Sequence, residues 1–283
     1  MADQSLTNQD LCLATLRDND RDRYLACLLS PQEKRGALAA LYAFNAELAR
    51  IRDLVHEPLP GEVRMQYWRD LLEGNAHGST QANPIASALL TAVDHHRLPK
   101  QTLVNMVDAR IFDLYDDPME TRVSLEGYAG ETASALVQLA SLVLAPTEAA
   151  ASAEAAGHAG VAQAIAGLLL LMPSHRHRGQ LYVPLEILSA TGLDRETFLA
   201  GEDRARISAA IEAFAGLGRD NLAKARSVAI APNVFPAFLP AALAEPVLIT
   251  AQKAGAGLFE SQLQRSQLRR QTRMLLAMMR KKI

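Results

Sequence analysis

Residues 23–45 read RYLACLLSPQEKRGALAALYAFN, and the punctuation of this stretch decides the fold class. Ser30-Pro31-Gln32-Glu33 has the form of a capping box, with a hydroxyl at the N-cap, proline in the first helical position and glutamate at the third. The spacing predicts a helix opening there. Leu41, Phe44, Leu48, Ile51 and Val55 recur every three or four residues as one buried stripe. Pro58 and Pro60 are expected to end it, since a proline nitrogen carries no proton for the helical ladder. Further helices are expected over 62–73, 84–96, 100–115, 124–144, 148–171, 182–190, 195–200, 203–229 and 236–280, the last with breaks near Pro240 and Pro246. Two-residue alternation is confined to Gln180 to Val183.

Composition agrees with an all-α chain. Of 283 residues 49% are hydrophobic, Ala and Leu abound, and only 5% are aromatic. Ala and Leu lose little side-chain entropy in a helix and pack closely. The length suits one sizeable core, and no polar stretch is long enough to separate two domains. A single domain over 1–283 is therefore expected, with a core at about 24–260 and a basic C-terminal helix at 261–283. A net charge of −2 argues against a nucleic-acid partner. Cys12 and Cys27 sit in apolar segments outside any C-x-x-C pattern, which fits small core residues in a reducing compartment. The opening MADQSLTNQD has neither a signal-peptide nor a transit-peptide pattern. The longest apolar run, Ala164 to Met172, is closed by Pro173 and falls short of the ~20 residues that span a bilayer. A cytoplasmic chain is expected, at most peripheral at the inner face of a membrane.

Three segments carry chemical interest: residues 23–45, the YAGETAS of Tyr128 to Ser134 that follows IFDLYDDP, and the RGQLYVPLE of Arg178 to Glu186. Their order and separation resemble the squalene/phytoene synthase family, whose enzymes join two isoprenoid diphosphates head to head. The resemblance runs from about Tyr24 to the last helices. It implies that family's terpenoid-synthase-like helical bundle around a central cavity. In such enzymes two acidic motifs face one another across the cavity and hold the Mg²⁺ that neutralises the departing diphosphates.

Aligned on this resemblance, both motifs are damaged. The family's D-D-x-x-D falls on Ala49-Arg50-Ile51-Arg52-Asp53, which keeps only Asp53. If Gln163 is the glutamine upstream of the second motif, its aspartates fall on Leu170 and Ser174. From Ala155 to Leu185 there is no acid at all. Basic residues stand instead: Arg50 and Arg52 in the first motif, and Ser174-His175-Arg176-His177-Arg178 after the second. Arginine binds phosphate bidentately and keeps its charge, so Arg50, Arg52, Arg176 and Arg178 could hold an anionic headgroup without metal. Tyr42, Tyr128, Gln163 and Tyr182 are candidate cavity residues beside them. The plainer readings are a solvated ladder of Glu47, Arg50 and Asp53, a solvated basic loop at 175–178, and a core position for Tyr42.

No metal site stands out, and no cofactor is expected. Asp53, Asp113 and Asp117 are weak Mg²⁺ candidates, relevant only to an active transferase. Asp116-Asp117-Pro118 reads better as a helix-ending turn. His175 and His177 lack a third ligand, and His95-His96 marks an exposed helix end. Arg265 to Ile283 carries seven cations and no acid, with Leu275, Leu276, Met278 and Met279 among them. It suits peripheral contact with an anionic membrane or a partner groove, or else forms the last bundle helix.

The kept fold and lost aspartates most resemble the branch of bacterial relatives of a mitochondrial complex I assembly factor. By that resemblance the chain is a non-catalytic protein of complex I assembly that contacts complex I subunits, with room for an isoprenoid or anionic lipid. Two alternatives stay open: a prenyl-diphosphate transferase with a divergent Mg²⁺ site, and a lipid or quinone carrier.

Overall fold

Helices form almost everywhere their period is present in the sequence, but caps and tertiary partners set where they end. The computed structural model describes residues 7–75, 82–261, 263 and 266–283. In chain order the α-helices are α1 (Asn8–Asn19), α2 (Arg21–Leu28), α3 (Arg35–Leu54), α4 (Pro58–Glu73), α5 (Pro84–His96), α6 (Lys100–Ile111), α7 (Arg122–Ala129), α8 (Ala135–Leu144), α9 (Pro146–Ala149), α10 (Ala153–His177), α11 (Leu185–Ala190), α12 (Arg195–Ala200), α13 (Arg204–Ser227), α14 (Ala244–Ala254) and α15 (Gln267–Arg280). No β-strand occurs among the described residues, and Gln180 to Val183 is irregular backbone. The expected all-α class is what the chain adopts. Its contacts gather into two compact units. One comprises 1–115, 138–151 and 231–237, the other 116–137, 152–230 and 238–283.

The first unit is organised around α3. Leu41, Phe44, Leu48 and Ile51 are buried as the spacing predicts, while Val55 is half-buried beyond the helix end. The Phe44 ring meets Trp68 of α4 edge-on at 5.1 Å. Gly61 lets α4 approach closely, since a Cβ there would lie 2.6 Å from Leu114 Cδ2. Two expectations fail here. Ser30 caps nothing: it is buried, its hydroxyl donates to the Ala26 carbonyl at 2.7 Å, and α3 starts only at Arg35 after a 3₁₀ turn over Gln32–Lys34. Pro58 and Pro60 do not merely end a helix but begin α4, where a proline's missing N–H would have had no helical partner.

The second unit is built on α10 packed along α13. Where α10 passes the turn after α7, Gly160 makes room, because a Cβ there would sit 2.3 Å from Ser134 Cα. That turn, Gly130–Ser134, is π-helical and interrupts the helix expected over 124–144. The Ser134 hydroxyl donates to the Gly157 carbonyl at 2.7 Å and Thr132 to that of Tyr128 at 2.6 Å. Pro173 does not stop α10, which runs on to His177, so the expected basic loop is the helix's last turn. The stop is Gly179, at φ 74°. The Gln180 N–H donates to the His175 carbonyl at 2.9 Å and the Gly179 N–H to that of Arg176 at 3.0 Å, the paired bonds of a Schellman cap. Likewise Pro246 lies inside the first turn of α14, and the break comes at Gly255.

By length and composition, 146–177 and 235–259 could each cross a membrane, but 56% and 67% of their apolar windows are buried within the protein. Burial of that kind is what core helices show.

Candidate functional site

The two segments aligned with acidic motifs lie in different units, and each has its own chemistry. On α3, Ala49 and Asp53 are exposed, Ile51 is buried, and Arg50 is half-buried with its Nη1 4.0 Å from Glu47 Oε1. That contact is one rung of the solvated ladder. Arg52 turns back along the helix end, donating from Nη1 to the Val55 and His56 carbonyls at 3.4 and 3.3 Å. It thereby meets acceptors that the end of α3 leaves without helical partners. Tyr42 belongs to the core: it is 2% exposed, the Arg23 guanidinium lies 5.9 Å from its ring centre, and burial pushes its hydroxyl pKa well up.

On α10, Gln163 and Leu170 are half-buried, and Ser174 is exposed. The helix end bends the chain so that His175 meets Tyr182 at 4.7 Å between ring centres, with Tyr128 6.2 Å from Tyr182. A small recess, with room for about one water molecule, opens here, lined by Met172, His175, Arg176, Gln180, Tyr182 and Phe214 among others. Arg176 holds structure together. Its Nε donates to the Leu199 carbonyl at 2.8 Å, its Nη2 to that of Ala200 at 2.9 Å, and its guanidinium lies 4.6 Å from the Phe259 ring centre. It caps the C-terminal end of α12, where a cation also meets the negative end of the helix dipole. His177 and Arg178 are exposed.

The remaining acids do not form a relocated metal centre. Asp113 is buried against Arg110 at 3.0 Å, while Asp116 and Asp117 are exposed in the turn that follows. The Glu186 carboxylate accepts from the Arg122 backbone N–H at 3.1 Å and from its Nε at 2.9 Å, which lowers the Glu186 pKa. Among the described residues no three His, Cys, Asp or Glu side chains gather as metal ligands. Cys12 and Cys27 are buried, and desolvation raises both pKa values, Cys12 to about 12. Buried thiols of this kind are unreactive at neutral pH.

Sequence reading missed one polar cluster. His158 Nδ1 lies 2.9 Å from Asn221 Oδ1, and the Asn221 amide donates to the Leu217 carbonyl at 3.1 Å and toward Glu126 at 3.4 Å. The available signal was a lone histidine in an otherwise small and apolar segment.

The end of α10 sets His175, Tyr182 and the exposed Arg178 near a small, mostly apolar recess. From Ala155 to Leu185 there is no carboxylate to bind Mg²⁺, whereas α3 keeps Asp53. The model of the squalene/phytoene synthase family matches residues 16–272. This chain belongs to that family. Among its relatives is complex I assembly factor 6 of Homo sapiens, 34% identical over 255 residues, covering 89% of this chain and 76% of that protein. The Drosophila melanogaster homolog of that factor is 28% identical over 256 residues, covering 86% and 75%. A 15-cis-phytoene synthase of Synechocystis is 25% identical over 210 residues, covering 70% and 62%. Among solved structures, a dehydrosqualene synthase matches with TM-score 0.77 at 20% identity over 95% of this chain and 94% of its own. Squalene synthase HpnC from Alicyclobacillus acidocaldarius matches with TM-score 0.73 at 16% identity over 88% and 94%. These likenesses identify the fold as the terpenoid-synthase-like bundle.

Proposed function

We propose that the chain is a non-catalytic member of its family that acts in the assembly of respiratory complex I. The observation that carries this reading is the acid-free wall from Ala155 to Leu185, combined with 34% identity to a relative named for complex I assembly. Diphosphate departs only when its charge is neutralised, and a wall with no carboxylate binds no Mg²⁺ for that task. Rebuilding of the same helix end into a Schellman cap and an α12 cap supports a structural use of these residues. The partners under this reading are complex I subunits, met at the inner face of the membrane by an otherwise cytoplasmic chain. No cofactor is proposed, and Mg²⁺ belongs only to the transferase alternative.

A lipid or quinone carrier is the second reading, resting on the membership of a family whose enzymes handle isoprenoids. An isoprenoid or anionic lipid would then bind without metal, and mass spectrometry of the purified protein would detect it. The assembly role is tested in a deletion strain. Loss of assembled complex I from its membranes is the expected result, and normal abundance and activity would reject the role.

A further inference from the structure

Helix α15 carries much of its apolar surface on the outside. One face is docked on the second unit by Met274 and Ala277, both buried, and by Ile283 beyond the helix end. Arg273 fixes its rotation, donating from Nε to the Ala242 carbonyl at 2.6 Å and from Nη2 to Glu245 Oε2 at 2.6 Å. Arg226 completes the clamp, with Nη1 on Glu245 Oε1 at 2.7 Å and Nε on the Ile283 carbonyl at 2.8 Å. Hydrogen bonds from Arg226 first, then Arg273, hold the Glu245 carboxyl at a pKa of about 2. The clamp is therefore ionised at any physiological pH.

With that face fixed, the opposite one is presented to the surroundings. It carries Leu268 at 73% exposure, Leu275 at 45%, Leu276 at 41% and Met279 at 80%. Spacings of seven, eight and eleven residues put all of them on one side of a helix. Arg269, Arg280, Lys281 and Lys282 are exposed around them. No acid occurs from Ser261 to Ile283, although Gln262, Gln264 and Arg265 lie outside the described residues.

We propose that α15 docks this protein on an anionic phospholipid surface. Leu268, Leu275, Leu276 and Met279 enter the headgroup boundary, and Arg269, Arg280, Lys281 and Lys282 meet the phosphates. An apolar face edged by cations and free of acids is the pattern that lies in a membrane interface, and long basic side chains reach back to the headgroups while their stems stay apolar. Charge argues against a second copy as the occupant, because pairing two such faces would bring cations together with no acid to match them. Docking needs no unfolding, since the clamped face and the lipid face are opposite. The inference stands apart from the assembly role and needs only an anionic bilayer.

The test is flotation of the full chain with vesicles of phosphatidylcholine alone or with about one-third phosphatidylglycerol. The native chain is expected to float with the anionic vesicles, less so as salt rises, and not with the neutral ones. Leu275→Asp with Met279→Asp should abolish flotation. Lys281→Ala with Lys282→Ala should weaken it on the order of 25-fold, about five-fold per cation. Leu59→Asp, at an exposed position on α4, should leave it unchanged. All substituted positions are exposed, and circular dichroism will verify that each variant is folded. Three results would overturn the proposal: no flotation of the native chain, equal binding to neutral vesicles, or full binding by the double aspartate variant. Self-association in sedimentation velocity that the aspartates abolish, without vesicle binding, would assign the face to a second copy instead. Binding to an acidic protein groove with no affinity for vesicles would likewise reject the lipid.

Discussion

The end of α3 around Arg50 and the end of α10 around Arg176 are the two places where the sequence reading sets the family's acidic motifs, and the structure uses them in different ways. On α3 the change is superficial. Arg50 has 43% of its side chain exposed and sits 4.0 Å from Glu47, and only Arg52 has taken a structural task, on two carbonyls at the helix end. On α10 the change has been absorbed into the fold. His175 packs against Tyr182 with the rings tilted at 47°, Arg176 caps another helix, and Gly179 closes the turn. The α3 end thus keeps its polar residues near the surface, whereas the α10 end builds its own into the packing.

The largest effect that could break this comparison is catalysis itself. Incubation with farnesyl or geranylgeranyl diphosphate and Mg²⁺ or Mn²⁺ is expected to give no condensation product. A hydrocarbon abolished by Asp53→Ala would show that the α3 acid still works with ligands drawn from elsewhere.

Stability should separate the two arginines next. Arg176→Ala removes two charge-assisted bonds to carbonyls and a ring contact, and should cost about 2–3 kcal/mol in chemical denaturation. Arg50→Ala removes a long, solvated ion pair and should stay within about 0.5 kcal/mol. Equal costs would mean that both ends are equally structural.

That division was only half legible in the sequence. Helical period placed most helices from α3 onward but not α1 or α2, and the absence of acids from Ala155 to Leu185 needed no structure to be seen. Helix ends were harder, because proline and serine have two uses each. Ser30 looks like a cap but is buried and bonds backward to Ala26, and Pro173 looks like a stop but lies within α10. Gly179 was the better stop signal, since the left-handed cap it makes is costly for other residues. Roles set by distant partners could not be read at all. Arg176 meets carbonyls 23 and 24 residues away, and His158 meets Asn221 63 residues away.

Ligand binding gives a smaller, sharper test. Arg50, half-buried on α3, and Arg178, exposed at the end of α10, are the two cations whose separate substitution tests binding of an anionic headgroup. Calorimetry with an anionic isoprenoid is expected to show the same affinity with and without Mg²⁺. Removing one such contact, as in Arg178→Ala, should weaken binding about tenfold, equivalent to about 1.4 kcal/mol. Strict Mg²⁺ dependence, or no loss in the combined Arg50→Ala and Arg178→Ala variant, would remove both residues from any site.

The most local test bears on why α10 ends where it does. Gly179 sits at φ 74° with nothing near enough to obstruct an added Cβ, so Gly179→Ala isolates backbone strain from crowding. An alanine in the left-handed region should cost about 1–2 kcal/mol, lowering the denaturation midpoint at constant slope. Gly179→Asn should cost less, because asparagine tolerates that conformation. The His175–Tyr182 contact depends on the same turn, so a tyrosine fluorescence change should accompany the alanine and be weaker with asparagine. If alanine proves neutral and leaves the fluorescence unchanged, α10 is held in place by its tertiary contacts alone. The glycine cap would then be no part of what distinguishes the two helix ends.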